Sequence, residues 1–254
     1  MKIEAYIICW NESAIMPFVI DYWKAAGIDK LIVYDNHSSD ETISMLREAD
    51  GMEFDVEIRD YESGGHADDF LYRHIKNNCW KESKADWVFV GDTDEVLYTP
   101  QGIKHYLQHR AGDAAIIQPC LYQVVGWTKP NDSHTLLHKR WDMQVQCCGP
   151  NKINLFRPDR VQEMNFGLGA HHCEPVGADI QYRDDIAWLH LKNLGVKYLL
   201  ERNRQLYDRL PDKVKAEKRI ATHYLPGCDV HNVAHDLADM WAQSQKYDHY
   251  PVLL

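Results

Sequence analysis

No run of this chain approaches the roughly 18 apolar residues of a membrane-spanning helix, and Met1 to Trp10 lack the apolar stretch of a signal peptide. The expectation is a cytoplasmic protein with at most peripheral membrane contact. Basic residues are the minority, 28 against 38 acidic ones, and the formal charge of -10 removes any global attraction to nucleic acid. No nucleic-acid partner is therefore expected. No Cys-x-x-Cys occurs either. The seven cysteines, Cys9, Cys79, Cys120, Cys147, Cys148, Cys173 and Cys228, are odd in number and scattered, which suits a reducing compartment better than a disulfide framework. Also missing are a Gly-x-Gly-x-x-Gly after the first strand-like segment and any Walker sequence, so neither an ordinary dinucleotide fold nor a P-loop enzyme fits.

What the chain does have is length for a substantial core, 254 residues, and a regular alternation of strand and helix signals through its first hundred. Glu4 to Trp10 reads as a strand, and Ser13 to Ala26 as a helix closed by a left-handed Gly27. Leu31 to Tyr34 is the second strand. Ser39 is expected to cap a helix running to about Ala49, and Phe54 to Arg59 alternates as strand three. After Gly64-Gly65, an amphipathic helix is expected from about His66 to Glu82 with Phe70, Ile75, Cys79 and Trp80 inward. Trp87-Val88-Phe89-Val90 then reads as a strand covered on both faces. Repeated strand-helix-strand units imply right-handed crossovers, a mainly parallel sheet flanked by helices, and ligand loops along one edge.

That edge carries the chemistry. The fourth strand ends in Asp92-Thr93-Asp94-Glu95, and an Asp-x-Asp pair at the carboxyl end of such a strand can hold a hard divalent cation and leave positions open for diphosphate. A solvated acidic turn is the competing reading. Trp10-Asn11-Glu12 after strand one, Asp35-Asn36 after strand two and Asp60 after strand three converge on the same rim as candidate contacts to a base and ribose, with Asp35, Asn36 and Asp40 equally readable as turn formers and caps.

The ordered set Asn11-Glu12, then Tyr34-Asp35-Asn36-His37-Ser38-Ser39-Asp40-Glu41-Thr42, then Asp92-Thr93-Asp94-Glu95 resembles family 2-like glycosyltransferases of the GT-A fold, in the bacterial branch that is also similar to family 92. The resemblance covers about the first hundred residues well and the rest more loosely. It implies one GT-A-like α/β domain: a nucleotide-sugar-binding half at 1–98, an acceptor-side half at 99–192 and a helical extension at 193–254. It also implies a nucleotide-sugar donor, a UDP-sugar being the commonest in that group, with Mn2+ or Mg2+ at Asp92 and Asp94, Asp35 on the nucleotide, and transfer with inversion to a saccharide or lipid-linked glycan acceptor. The rival readings are a nucleotidyltransferase acting on sugar phosphates and a non-catalytic saccharide-binding protein of the same fold.

The second half adds further candidates. Lys152, before the strand-like Ile153 to Phe156, is expected to face the donor diphosphate, whereas Arg157 reads as a surface charge on the opposite strand face. Ile186 to Lys192 is strand-like, and His190 lies where the resemblance puts a third metal ligand; a buried structural histidine is the alternative. A base separate from the metal ligands must take the acceptor's proton. Glu174 is selected, with Asp184-Asp185 read as a solvated turn. Trp127 and Trp141 are either sugar platforms or core, and Cys228, His231 and His235 have zinc-like spacing without a fourth ligand. The final segment, Asp236 to Leu254, begins amphipathic and is left to dock on the core, form a homodimer contact or touch a lipid carrier.

Overall fold

The computed structural model describes every residue except 53, 132–134, 213–214 and 216–228. Its centre is a nine-stranded sheet ordered β3-β2-β1-β4-β8-β6-β9-β5, with β7 paired to β6. The strands are β1 (Ile3–Cys9), β2 (Lys30–Asp35), β3 (Asp55–Asp60), β4 (Trp87–Asp92), β5 (Glu95–Tyr98), β6 (Ile116–Gly126), β7 (Met143–Pro150), β8 (Leu155–Phe156) and β9 (Ile180–Leu194). The helices are α1 (Met16–Ala26), α2 (Thr42–Ala49), α3 (Asp69–Asn78), α4 (Ile103–His109), α5 (Val196–Asp208) and α6 (Val230–Gln243). The first four strands are parallel, joined by the expected helical crossovers, and pairing is mixed beyond β4.

Strand register is what positions the site. Ile8 lies opposite Asp92, Cys9 opposite Asp35, and Asp35 opposite Asp60, so the carboxyl ends of β1 to β4 align along one rim. On the antiparallel side, Glu95 pairs with His190, which carries a late histidine back to the loop after β4. The core lies on both faces of the sheet. Trp23 of α1 packs edge-on against Phe89 at 4.9 Å between ring centroids, and beneath the other face Trp80 meets Phe156 at the same distance. Each such buried ring contributes about 1.5–3 kcal/mol by leaving water.

Several expected boundaries shift for identifiable reasons. Gly27 does close α1 in the left-handed region at φ 73°. Ser39 does not cap α2; its N–H is drawn across to Asn11 Oδ1, and Asp40 accepts from the Thr42 N–H instead. The third helix is shorter than its pattern, beginning at Asp69 because the Asp68 carboxylate accepts from the N–H groups of Phe70 and Leu71. That start turns Phe70 outward, 57% exposed, while Ile75 and Trp80 are buried as expected. Asp184 and Asp185 belong to the long β9 rather than to a turn, and Asp185 accepts from the Tyr106 hydroxyl at 2.7 Å. The C-terminus docks on its own core: Leu253 is fully buried and the Tyr250 ring meets Tyr122.

Candidate active site

The rim opens into a cavity of about 470 Å3 whose lining includes Trp10, Glu12, Tyr61, Asp69, Lys76, Asp92, Asp94, Glu95, Lys152, His190, Lys192 and Arg202. Side chains from both halves of the sequence meet here. β4 delivers Asp92, the following turn delivers Asp94, and the Thr93 hydroxyl ties that turn to the Ile8 carbonyl at 2.8 Å. Helix α5 leans over the opening and contributes Arg202.

Four carboxylates of the cavity, Asp92, Asp94, Glu95 and Glu12, have cationic neighbours. Asp92 is held by Lys76 at 2.6 Å and by Lys152 at 3.2 Å. Burial alone would raise its pKa, but the two ammonium groups outweigh that and hold the carboxyl well below its ordinary range. Asp94 meets Arg202 at 3.0 Å and His190 Nε2 at 3.3 Å; burial again opposes ionisation, and Arg202 with His190 overcomes it. Glu95 pairs with Lys152 yet keeps a raised pKa, because burial prevails over that one lysine. Glu12 bonds Arg202 at 2.7 Å, and burial still pushes its carboxyl up to about 7.

A divalent cation fits one corner of this cluster. One ligand atom each from Asp94, Glu95 and His190 lies within 4.8 Å of the others, and two carboxylates with an imidazole form a donor set suited to Mn2+. The His190 Nδ1 atom is buried without a partner among the described residues. Asp92 is not in this group, its two oxygens being drawn to Lys76 and Lys152. Glu95, which shares Lys152 with Asp92 and faces His190 across the β5–β9 ladder, takes its place.

The other expected contacts divide. Trp10, Glu12, Thr93 and Lys152 line the cavity, although the Lys152 ammonium is turned to Asp92 and Glu95 rather than left open for phosphate. Asn11, Asp35, Asn36 and Asp60 are outside the lining. Asp35 is buried with its carboxylate bonded to the Ser38 backbone N–H and hydroxyl, and Asn36 donates to the Ser63 hydroxyl. Asn11, at φ 49°, exchanges bonds with Ser39, so this group ties the loops after β1 and β2 together. Asp60 is exposed. Glu174 is not brought to the cluster; it is exposed beside His172 at 3.1 Å, three residues from His171, which does reach the lining.

Lys76, Asp69, Lys192, Arg202 and Arg209 were not anticipated. The charge-bearing face of α3 was readable as a helix face but not as a wall of the site, and Arg202 falls on α5, with Arg209 just after its end, a helix whose docking no local motif encodes. Arg209 stacks over Trp10 at 3.6 Å from its ring centroid and donates to the carbonyls of Gly65 and His66. Trp127 and Trp141 are 44% and 85% exposed, outside the core and outside this cavity. Cys228 lies outside the described residues, while His231 and His235 are exposed on α6.

A model of glycosyltransferase family 92 matches residues 8–164, more than half of the chain and inclusive of the rim loops and the Asp92 to Glu95 turn. The chain belongs to glycosyltransferase family 92. It is a transferase, and its α/β sheet, parallel from β3 to β4 with the Asp-x-Asp turn at the carboxyl rim, is the GT-A arrangement expected from sequence. Among solved structures, Staphylococcus aureus TarS residues 1–349 is similar at 10% identity over 91% of this chain and 70% of that one, with a TM-score of 0.49. The mannosyltransferase PcManGT from Pyrobaculum calidifontis, solved with GDP-Man and Mn2+, is similar at 14% identity over 95% and 75%, with a TM-score of 0.47. A comparison with curated proteins finds no match.

Proposed function

We propose that this glycosyltransferase is a metal-dependent, inverting enzyme that moves a sugar from a nucleotide-sugar, a UDP-sugar being the first candidate, to a saccharide or lipid-linked glycan acceptor. The observation that carries the reading is the convergence of Asp94, Glu95 and His190 at the edge of a cavity lined by Trp10 and Tyr61. These three residues would hold Mn2+ or Mg2+, which when bound supplies positive charge for the departing nucleoside diphosphate. Residues 1–98 would form the donor half, residues 99–192 the acceptor side, and 193–254 a helical cover.

Within the chain, Trp10 offers a flat face, already stacked by Arg209, against which a base can order. Asp35, Asn36 and Asn11 act one layer back, fixing the loops after β1, β2 and β3 through Ser38, Ser39 and Ser63. For the proton leaving the acceptor hydroxyl, Asp69 is the fitting carboxylate. It lines the cavity without an ion-pair partner among the described residues, and burial followed by the nearby Asp92 charge raises its pKa toward the range useful to a base. Glu174 would act only from the rim.

The deciding experiment is a panel of UDP-, GDP-, CMP- and dTDP-sugars, each with Mn2+ and with chelator, read as thermal stabilisation and as release of free nucleotide. One nucleotide that stabilises and turns over only with metal is the expected result. No stabilisation and no nucleotide release with any donor would overturn the reading and leave a non-catalytic saccharide-binding protein of the same fold.

A further inference from the structure

The cations of the cavity are not equivalent. Lys76 is bonded to Asp92, Lys152 to Asp92 and Glu95, Arg202 to Glu12 and Asp94, and Arg209 to two backbone carbonyls with its plane on Trp10. Arg73 is exposed and leans on the Phe70 ring. Lys192 differs from all of them. It lines the cavity, is only partly exposed, and makes no hydrogen bond or ion pair among the described residues. The carboxylate that acts on it most, Asp94, already serves Arg202 and His190 and makes no ion pair with it.

Strand geometry explains why its side chain is available there. Along β9, Leu189 and Leu191 are buried in the core while His190 and Lys192 alternate with them toward the cavity. A cation partly withdrawn from water without a counter-charge is costly, and a ligand anion entering the cavity relieves that cost. Lys76, Lys152, Arg202 and Arg209 would have to break existing bonds to do the same, and Arg73 is exposed to water, so it gains less from an incoming anion.

We infer that Lys192 is the residue that receives an anionic oxygen of the donor's diphosphate, a role the sequence pattern had suggested for Lys152. The inference rests on the glycosyltransferase reading for the identity of the donor, but its test does not. Inorganic diphosphate, in chelator, is titrated calorimetrically into the wild-type protein and into Lys192→Met, Lys192→Arg and the exposed-helix control Lys197→Met. Loss of about tenfold or more in affinity is expected for Lys192→Met, equivalent to at least about 1.4 kcal/mol. Lys192→Arg should stay within a few-fold of wild type, and Lys197→Met should match it. Melting temperature is followed in parallel, and Lys192→Met should melt no lower than wild type, because it removes an unpaired charge. Equal affinity in wild type and Lys192→Met, or no diphosphate binding to the wild type, overturns the assignment. Diphosphate binding that depends on Lys192 in a protein that consumes no nucleotide-sugar would keep the assignment and remove the proposed function instead.

Discussion

Arg202 of α5 bonds Asp94 at 3.0 Å with one guanidinium nitrogen and Glu12 at 2.7 Å with another, so a helix from the last quarter of the chain clamps two loops from its first hundred residues. All three side chains are largely buried. Removing the guanidinium leaves two carboxylates close together without their main counter-charge. Arg202→Met should therefore destabilise the fold by about 3–5 kcal/mol in denaturant unfolding. Arg202→Lys should recover only part of this, since a single ammonium cannot reproduce the fork. A loss below about 1 kcal/mol for the methionine variant would show that water already compensates both acids.

Asp94 and Asp92 look alike in sequence and are placed differently in the fold. Asp94 belongs with Glu95 and His190, whereas Asp92 is bridged by Lys76 and Lys152. Stabilisation by Mn2+ should accordingly disappear in Asp94→Ala and persist, though weakened, in Asp92→Ala. Transfer by Asp94→Ala should fall at least about a hundredfold, as expected for losing several kcal/mol of charge stabilisation. Thermal melts with and without chelator separate the two variants, and equal behaviour of both would dissolve the distinction.

The contrast shows where sequence reading reaches its limit. Strands β1 to β4 were legible because Trp87 to Val90 and its counterparts are short apolar runs punctuated by turn residues, and the parallel register then follows. The rim position of Asp92 and Asp94 follows from the same pattern. Lys76 and Arg202 were not legible, since a charged residue on a helix looks the same whether that face meets solvent or a buried carboxylate. The roles of Asp35 and Asn36 were ambiguous for a related reason: a side chain that bonds a neighbouring loop and one that bonds a ligand use the same atoms. Only the Ser38 and Ser63 contacts assign them to the loops.

The proton acceptor can be located by two neutralising substitutions. Asp69→Asn should leave donor stabilisation intact and lower turnover by about two to four orders of magnitude. Glu174→Gln should stay near wild type, because the exposed Glu174 carboxylate bonds only His172 among the described side chains. Steady-state transfer with saturating donor is the measurement. The reverse pattern, with Glu174→Gln inactive, would mean that the 167–174 segment carries its carboxylate inward when acceptor binds.

Glu12 makes stability depend on pH with a defined sign. Its carboxyl is raised from 4.5 to about 7 because burial outweighs the pull of Arg202, so across that interval the folded chain keeps a proton that the unfolded chain has released. The stabilising contribution is complete below about pH 4.5 and is lost as pH rises through about 7. Asp92 and Asp94, whose carboxyls are depressed, act in the opposite sense and only at lower pH. In chelator, the unfolding free energy of wild type should therefore fall relative to Glu12→Gln between pH 5 and pH 8. A gap between the two proteins that does not change with pH would mean that Glu12 ionises normally.

Gly91 couples the core to the site through space rather than charge. A Cβ placed there would lie 2.5 Å from Phe89 Cζ and 2.9 Å from Glu95 Oε2, both closer than real contacts allow. The Phe89 ring cannot yield freely, since it is fully buried against Trp23, and Glu95 is held by Lys152 and by the Asp92 N–H. Gly91→Ala should therefore destabilise the protein by about 1–3 kcal/mol, the usual cost of overpacking a dense interior. It should also weaken Mn2+ stabilisation, because the displaced group is a carboxylate of the Asp94, Glu95 and His190 set. A substitution in the same core layer but outside the cavity lining, such as Leu46→Ala on α2, should cost comparable stability and leave the metal response unchanged. If Gly91→Ala lost stability but kept its full metal response, Glu95 would not be a ligand.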